Sequence, residues 1–286
     1  MRILLGGGNF KGSNIMLSRF LENLTEHEVK ICAWYRNHQY LPHIDWCIDA
    51  LQKHSTKNYF YIHHGIKGPS VDHDVAIEVL DDIVDWDPEL VISDCEAFTA
   101  CAAKALNVPL WYCSSMLQFN GIEHVYGEIN NNAFLQTRDI LKGLPKGDVY
   151  LVYSALCEIS SPPTLREGFE WVRPYFKEPY DKVLSSELSE VADIGTVIPD
   201  EYLLCSGETS FVADCLYSGK PFYVCPDPTD QECLLNAQML QHHKCARNIG
   251  RPKSLEFVKN QVEKPNPAPH LHLQNWNFLD EKVRLQ

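Results

Sequence analysis

The feature that most constrains this chain is an alternation of short apolar runs with helical stretches from residue 2 to residue 113. Residues 2–6 read as a buried strand that runs into Gly6-Gly7-Gly8. The stretch from Ser13 to Leu24 places Ile15, Met16, Phe20, Leu21 and Leu24 on one face of a helix. Val29–Tyr35 and Tyr59–His63 read as strands, with a helix through Ile44–Leu51 between them. A helix from Asp72 to Val84 follows, and Asp87-Pro88-Glu89 stops the chain before the apolar strand Leu90–Ser93. An alanine-rich helix from Cys95 to Leu106, closed by Asn107, leads to the strand Val108–Cys113. Strands separated by helices at this pitch form a parallel sheet covered on both faces, a doubly wound α/β architecture. Such sheets meet ligands at the carboxyl ends of their strands. Functional groups are therefore expected just after Leu5, Ile62, Ile92 and Tyr112.

The alternation pauses over residues 114–148, where Asn130-Asn131-Asn132 and Lys142-Gly143-Leu144-Pro145-Lys146-Gly147 are polar, and a domain boundary is expected near Gly147. It resumes with Val149–Tyr153, a strand near Gly195–Ile198 and the strand Tyr202–Cys205. The helix Ser210–Tyr217, the strand Pro221–Cys225 and the helix Gln231–His242 complete this half. The chain thus divides into residues 1–147, a shortened second domain over 148–263, and a proline-rich linker and tail over 264–286. The linker Lys264-Pro265-Asn266-Pro267-Ala268-Pro269 is stiff, and the tail with Trp276 and Phe278 is expected to pack back on the body.

With 45 % hydrophobic and 22 % charged residues, the chain supports an ordinary core. A formal net charge of −13 opposes a broad electrostatic grip on nucleic acid or anionic lipid. No apolar run reaches the roughly 18 residues of a membrane span. The opening Met1-Arg2-Ile3-Leu4-Leu5-Gly6 enters a strand instead of a signal-peptide core. A cytoplasmic location is expected, the host cytoplasm if the protein is viral, and the eleven cysteines suit reduced thiols there. Cys205, Cys215 and Cys225 are evenly spaced but fall on strand, helix and strand, which predicts burial rather than convergence on a metal.

The strongest chemical signal is Leu203-Leu204-Cys205-Ser206-Gly207-Glu208-Thr209-Ser210, an apolar strand whose end opens a helix through small polar residues. A helix N-terminus offers unpaired N–H groups and partial positive charge, and glycine lets a phosphate approach the backbone. Ser206, Gly207, Glu208, Thr209 and Ser210 thus make a candidate diphosphate cradle. The plainer alternative is an N-cap in which Ser206 or Thr209 satisfies the backbone. Asp214 lies one turn beyond Ser210 on the same face, where a carboxylate can accept ribose hydroxyls. Pro226 closes the next strand, and Asp230, Gln231, Glu232 and Asn236 supply carboxylate and amide groups of the kind that hold sugars. In the first half, Gly8, Lys11 and Gly12 form a glycine loop that lacks the full dinucleotide fingerprint, with Lys11 suited to a phosphate.

Taken in order, Gly207, Ser210, Asp214, Ser218-Gly219-Lys220-Pro221, Pro226, Asp230-Gln231 and Asn236-Ala237 resemble the donor signature of GT-B glycosyltransferases. These are nucleotide-sugar enzymes related to the lipid-II N-acetylglucosaminyltransferase and the UDP-glycosyltransferases. Pro88 to Glu96, Ala102-Ala103-Lys104 and Val108-Pro109-Leu110 are similar to the acceptor domain of that group, and Gly6 to Leu21 to its first strand, loop and helix. The resemblance implies two Rossmann-type lobes facing a cleft, the first binding the acceptor and an abbreviated second binding the donor. It implies hexosyl or pentosyl transfer from a nucleotide diphosphate sugar, UDP-linked, to an acceptor hydroxyl. The nucleotide sugar is then a co-substrate, and neither a metal nor another cofactor is required.

The departures from that pattern are specific. The family's paired glycine is here Gly207-Glu208, and either Asp230-Gln231 or Glu232-Cys233 fills its acidic-glutamine slot. The histidine that often serves as base in the family's first loop is absent. Asp94 and Glu96, just past Leu90–Ser93, are the candidate bases, with His63 and His64 next; the alternative for Asp94 is to cap the following helix. A phage-type acceptor, hydroxymethylated cytosine in DNA, suits the compact size, but needs Lys53, Lys57, Lys67, Arg166, Arg173 and Lys177 to form one groove against the acidic total. A nucleotide-sugar 2-epimerase and a non-catalytic nucleotide-sugar-binding protein share the donor signature and stay open as alternatives.

Overall fold

The computed structural model of the chain describes residues 1–7, 16–17, 20, 24–35, 59–63, 73–124, 139–174, 203–219, 221–250 and 282–283. Strands β1 (Arg2–Gly7), β2 (Glu28–Tyr35), β3 (Tyr59–His63), β4 (Leu90–Ser93) and β5 (Leu110–Ser114) appear where the apolar runs place them. Helices α1 (His73–Trp86) and α2 (Ala97–Leu106) separate β3 from β4 and β4 from β5. After β5 the chain makes a 3-10 turn over Ser115–Leu117 and a single helical turn, α3 (Gln118–Gly121). With β6 (Val149–Tyr153) and β7 (Phe169–Val172), these strands make one parallel sheet in the order β3-β2-β1-β4-β5-β6-β7. The order reverses between β1 and β4, which is where open α/β sheets form a ligand crevice.

Alternate residues of the strands feed two cores, so both faces are covered. Ile3, Leu5, Ile31, Ile92, Trp111 and Leu151 pack with Met16, Leu17, Phe20 and Leu24 on one face. Leu4, Cys32, Val91, Leu110 and Val152 pack with Val79 and Ile83 of α1 and Ala100 and Ala103 of α2 on the other. Asn107 closes α2 in the left-handed conformation at φ 56°, its N–H bonded to the carbonyls of Ala103 and Lys104.

The first sheet extends past the expected boundary near Gly147. β6 and β7 lie beyond it in sequence yet pair with β5 and with each other in the first sheet. Gly147 is a packing residue: a Cβ there would stand 2.6 Å from the Tyr112 ring. The polar stretch Lys142–Gly147 therefore belongs to a connection between neighbouring strands.

A second parallel sheet has the order β10-β9-β8, from β8 (Leu203–Cys205), β9 (Phe222–Val224) and β10 (Arg247–Asn248). Helices α4 (Thr209–Ser218) and α5 (Gln231–His242) follow β8 and β9. Their core is not closed by this unit alone. Phe119, Ile122, Ala155, Leu156 and Ile159 of the first unit join Val212, Leu216, Phe222, Val224, Leu235 and Leu240 in one buried cluster. Cys205, Cys215 and Cys225 are buried, as their placement on strand, helix and strand predicts. The hydrogen-bonded Cys205 thiol and burial hold Cys215 up, and burial pushes Cys225 up to about 12. The tail returns to the first unit, where Val283 is buried in its core and Lys282 pairs with Glu170. The expected helix at Ile44–Leu51, the strand near Gly195–Ile198, the linker, Trp276 and Phe278 lie outside the described residues. No described helix is long and apolar enough to cross a membrane.

Gly6, at the carboxyl end of β1, lies against α2: a Cβ there would stand 2.0 Å from Thr99 Oγ1. Gly6→Ala is expected to lower unfolding free energy by about 1–3 kcal/mol through overpacking, as read by urea denaturation.

Candidate functional site

The crevice between β1 and β4 is built by a short turn. Ser93 Oγ donates to the Glu96 carbonyl and accepts from Glu96 N–H, both at 3.0 Å, while Cys95 takes the left-handed region at φ 51°. This carries Glu96 to the N-cap of α2. Its Oε1 accepts from Phe98 N–H at 2.6 Å, and Oε2 accepts from Thr99 N–H and Thr99 Oγ1 at 2.8 Å. Glu96, not Asp94, is thus the cap, and its carboxylate, 5 % exposed, already serves three donors. That geometry engages the Glu96 carboxylate within the cap, and the alternative in which Asp94 caps the helix is not the one the structure takes.

Asp94 stays outside α2, half-buried at the end of β4. Its N–H donates to the Gly6 carbonyl at 2.8 Å, which fixes it beside the end of β1 at the switch point. Burial first, then the nearby Asp94 charge, pushes the Cys113 thiol up. His63 ends β3, the edge strand, two strands away from β1. His64, Gly8, Lys11 and Gly12 lie outside the described residues.

The second group of candidates gathers at the carboxyl ends of β8 and β9. Glu208 precedes α4 without a side-chain cap, and Ser206 Oγ accepts from Glu208 N–H at 3.4 Å. The helix N-terminus is served from elsewhere: Thr209 N–H donates to Glu232 Oε1 at 2.9 Å. Glu232 Oε2 in turn accepts from Ser115 Oγ of the first unit at 3.0 Å. Neither Ser206 nor Thr209 acts as the cap anticipated as the plainer reading. Ser210 follows in the first turn of α4, and Asp214 is buried at 2 % exposure further along it.

Behind this contact runs a buried polar chain. Ser154 Oγ donates to Gln118 Oε1, and Gln118 Nε2 donates to Thr209 Oγ1, both at 3.1 Å. Asn236 Nδ2 donates to Thr209 Oγ1 at 3.0 Å and to the Gly207 carbonyl at 2.8 Å. Asn236 is fully buried, so here it braces the loop from beneath. Gly207 has φ +93°, and a Cβ would stand 2.8 Å from the Cys233 carbonyl, so β8's loop and the first turn of α5 meet at van der Waals limits.

Asp230 caps α5, its Oδ1 accepting from Glu232 N–H at 2.9 Å and Cys233 N–H at 3.1 Å. Pro226 is buried at the end of β9, whereas residues 227–230 are exposed. Gln231 Oε1 is buried without a hydrogen-bond partner among the described residues. Ser115, Gln118 and Ser154 are missing from the expected set. The signal for them was the polar pair Ser114-Ser115 closing β5 and Ser154 closing β6, at strand ends where ligands are met.

A sequence model of glycosyl transferase family 1 matches residues 1–165, more than half of the chain. No curated protein matches the chain by sequence. The solved glycosyltransferase SsfS6 of Streptomyces sp. SF2575 superposes with TM-score 0.51 at 15 % identity, over 87 % of this chain and 88 % of that one. Arabidopsis thaliana UGT89C1, solved with UDP-L-rhamnose, superposes with TM-score 0.53 at 12 % identity, over 99 % of this chain and 92 % of that one. A glycotransferase of kitacinnamycin gives 0.51 at 13 % identity, over 87 % and 86 %. At these identities the likeness is one of fold.

Burial pushes the Glu232 carboxyl up, against the lowering effect of the Thr209 N–H, the Thr209 hydroxyl and Ser115. A carboxyl raised in the folded state contributes stability below its unfolded pKa and loses it as pH climbs through the raised value. Glu232→Gln keeps acceptor and donor groups without the charge. Its melting temperature is expected to equal wild type at about pH 4 and exceed it at about pH 8, as read by scanning fluorimetry.

Proposed function

From the premise that the chain belongs to glycosyl transferase family 1 and has the GT-B fold, we propose that it moves a sugar from a UDP-linked donor to an acceptor hydroxyl. The observation that carries the donor half of this reading is the N-terminus of α4. It opens at the carboxyl end of a parallel strand, behind a left-handed glycine, with its first N–H directed at an anionic group. Thr209 and Ser210 N–H groups with the Ser206 hydroxyl would take the diphosphate, without a metal. Asp214 would meet the ribose, and Asp230, Gln231 or Glu232 the sugar. The likeness to a protein solved with UDP-L-rhamnose makes UDP-sugars the first donors to try.

Asp94 is the proposed base. It stands at the switch point of the first sheet and outside the α2 cap, whereas Glu96 is held within that cap. Its carboxylate takes the acceptor hydroxyl proton as the oxygen attacks the anomeric carbon. The bond from that carbon to the diphosphate oxygen breaks, and the nucleoside diphosphate leaves. Lys11 in the glycine loop would assist that departure. A DNA acceptor finds little support, because Arg173, one of its proposed contacts, is paired with Glu158 at 2.8 Å.

The test is a panel of UDP- and TDP-sugars, with small hydroxyl acceptors or hydroxymethylated DNA, following nucleotide release and product mass. Acceptor-dependent release that persists in EDTA is the expected result. A changed sugar without acceptor, or no nucleotide binding at all, would overturn it. Asp94→Asn is expected to cut transfer by about 10²–10⁴-fold while leaving UDP binding intact.

A further inference from the structure

We infer that Glu232 is an internal anion for the α4 N-terminus, which the diphosphate of a nucleotide donor must displace from Thr209, releasing Ser115 of the first unit as it does so. The inference rests on the donor reading above and adds a gate to it.

The carboxylate is placed as a bound anion would be. Oε1 accepts from Thr209 N–H at 2.9 Å, and Oε2 accepts from Ser115 Oγ at 3.0 Å. Thr209 Oγ1 accepts from Gln118 Nε2 at 3.1 Å and from Asn236 Nδ2 at 3.0 Å. Both lone pairs of that hydroxyl are thus engaged by amides, which fixes Thr209 and with it the N–H that Glu232 serves. Glu208, which precedes α4, makes no side-chain cap of its own to that helix. Two donors, one from each unit, thus converge on one carboxylate that arrives from another helix.

A diphosphate cannot share this place. Two anions a few ångströms apart repel, and a single N–H does not serve both. Displacement leaves α5 intact, because Asp230 Oδ1 holds the Glu232 and Cys233 N–H groups through the backbone. The side chain alone has to turn. As it leaves, the hydrogen bond to Ser115 is lost, so occupancy of the second unit loosens a tie to the first. The protein with Glu232 in place is not competent for donor, and apparent affinity falls by the competent fraction.

The experiment is calorimetric titration of the full chain with UDP, and with TDP as a second probe. Nucleoside diphosphates lack the sugar, so any sugar contact of Glu232 drops out. Glu232→Ala is expected to bind UDP about tenfold more tightly than wild type. Ser115→Ala, a small change outside the donor loop, removes only the far end of the tie and is expected to tighten binding about threefold. Unchanged or weaker UDP binding in either folded variant overturns the gate and leaves the donor site standing. Failure of wild type and both variants to bind UDP or TDP removes the donor site, and the gate with it.

Discussion

Thr209 stands where three elements meet, and its hydroxyl accepts from Gln118 of the first unit and Asn236 of α5 while its N–H reaches the Glu232 carboxylate. Each such bond contributes only about 0.5–1.5 kcal/mol net, but a buried partner left unpaired costs about 1–3 kcal/mol. The network therefore fixes register more than it adds stability. Any slide of the second unit along the first would strand Gln118, which is fully buried and also holds Ser154. The energy comes from the surrounding apolar cluster, in which Phe119 and Ile122 meet Phe222 and Leu240.

Much of the fold is legible locally. Apolar runs bounded by Asp87-Pro88-Glu89 or Asn107 mark β4 and the end of α2, because stop signals and side-chain period act within a few residues. β6 and β7 were harder to place. Nothing within Val149–Tyr153 says that it pairs with β5, since strand order is decided by contacts far apart in sequence. The polar run before Gly147 suggested a domain boundary, whereas it connects neighbouring strands and its glycine seats the Tyr112 ring.

The site divides in the same way. Asp230, read from the sequence as a sugar ligand, also caps α5, a role its residue type and position suit. Glu96 and Glu232 could not be placed so. A glutamate beside a predicted strand end looks like a reactive carboxylate, yet each of these answers unpaired N–H groups of a helix. Glu96 reaches its own helix because Cys95 turns left-handed, and Glu232 reaches α4 from the first turn of α5. For Glu232 the orphaned donor belongs to another part of the chain; for Glu96 it lies only two and three residues on, and the left-handed turn at Cys95 that brings it within reach is not written in residue type.

The core shared by both units has a consequence for how this protein is made and how it could be recombined. The second sheet has three described strands, and its apolar cluster is completed by Phe119, Ile122, Ala155, Leu156 and Ile159, all of which leave the ribosome earlier. The nascent first unit must therefore present a greasy, unfinished flank until the later segment arrives to cover it. A chimaera that exchanged the donor half for that of a relative would transplant a mismatched half-core rather than a free-standing module. Successful exchange would have to carry those five residues with it, so that the natural unit of inheritance is the seam together with the half it seals.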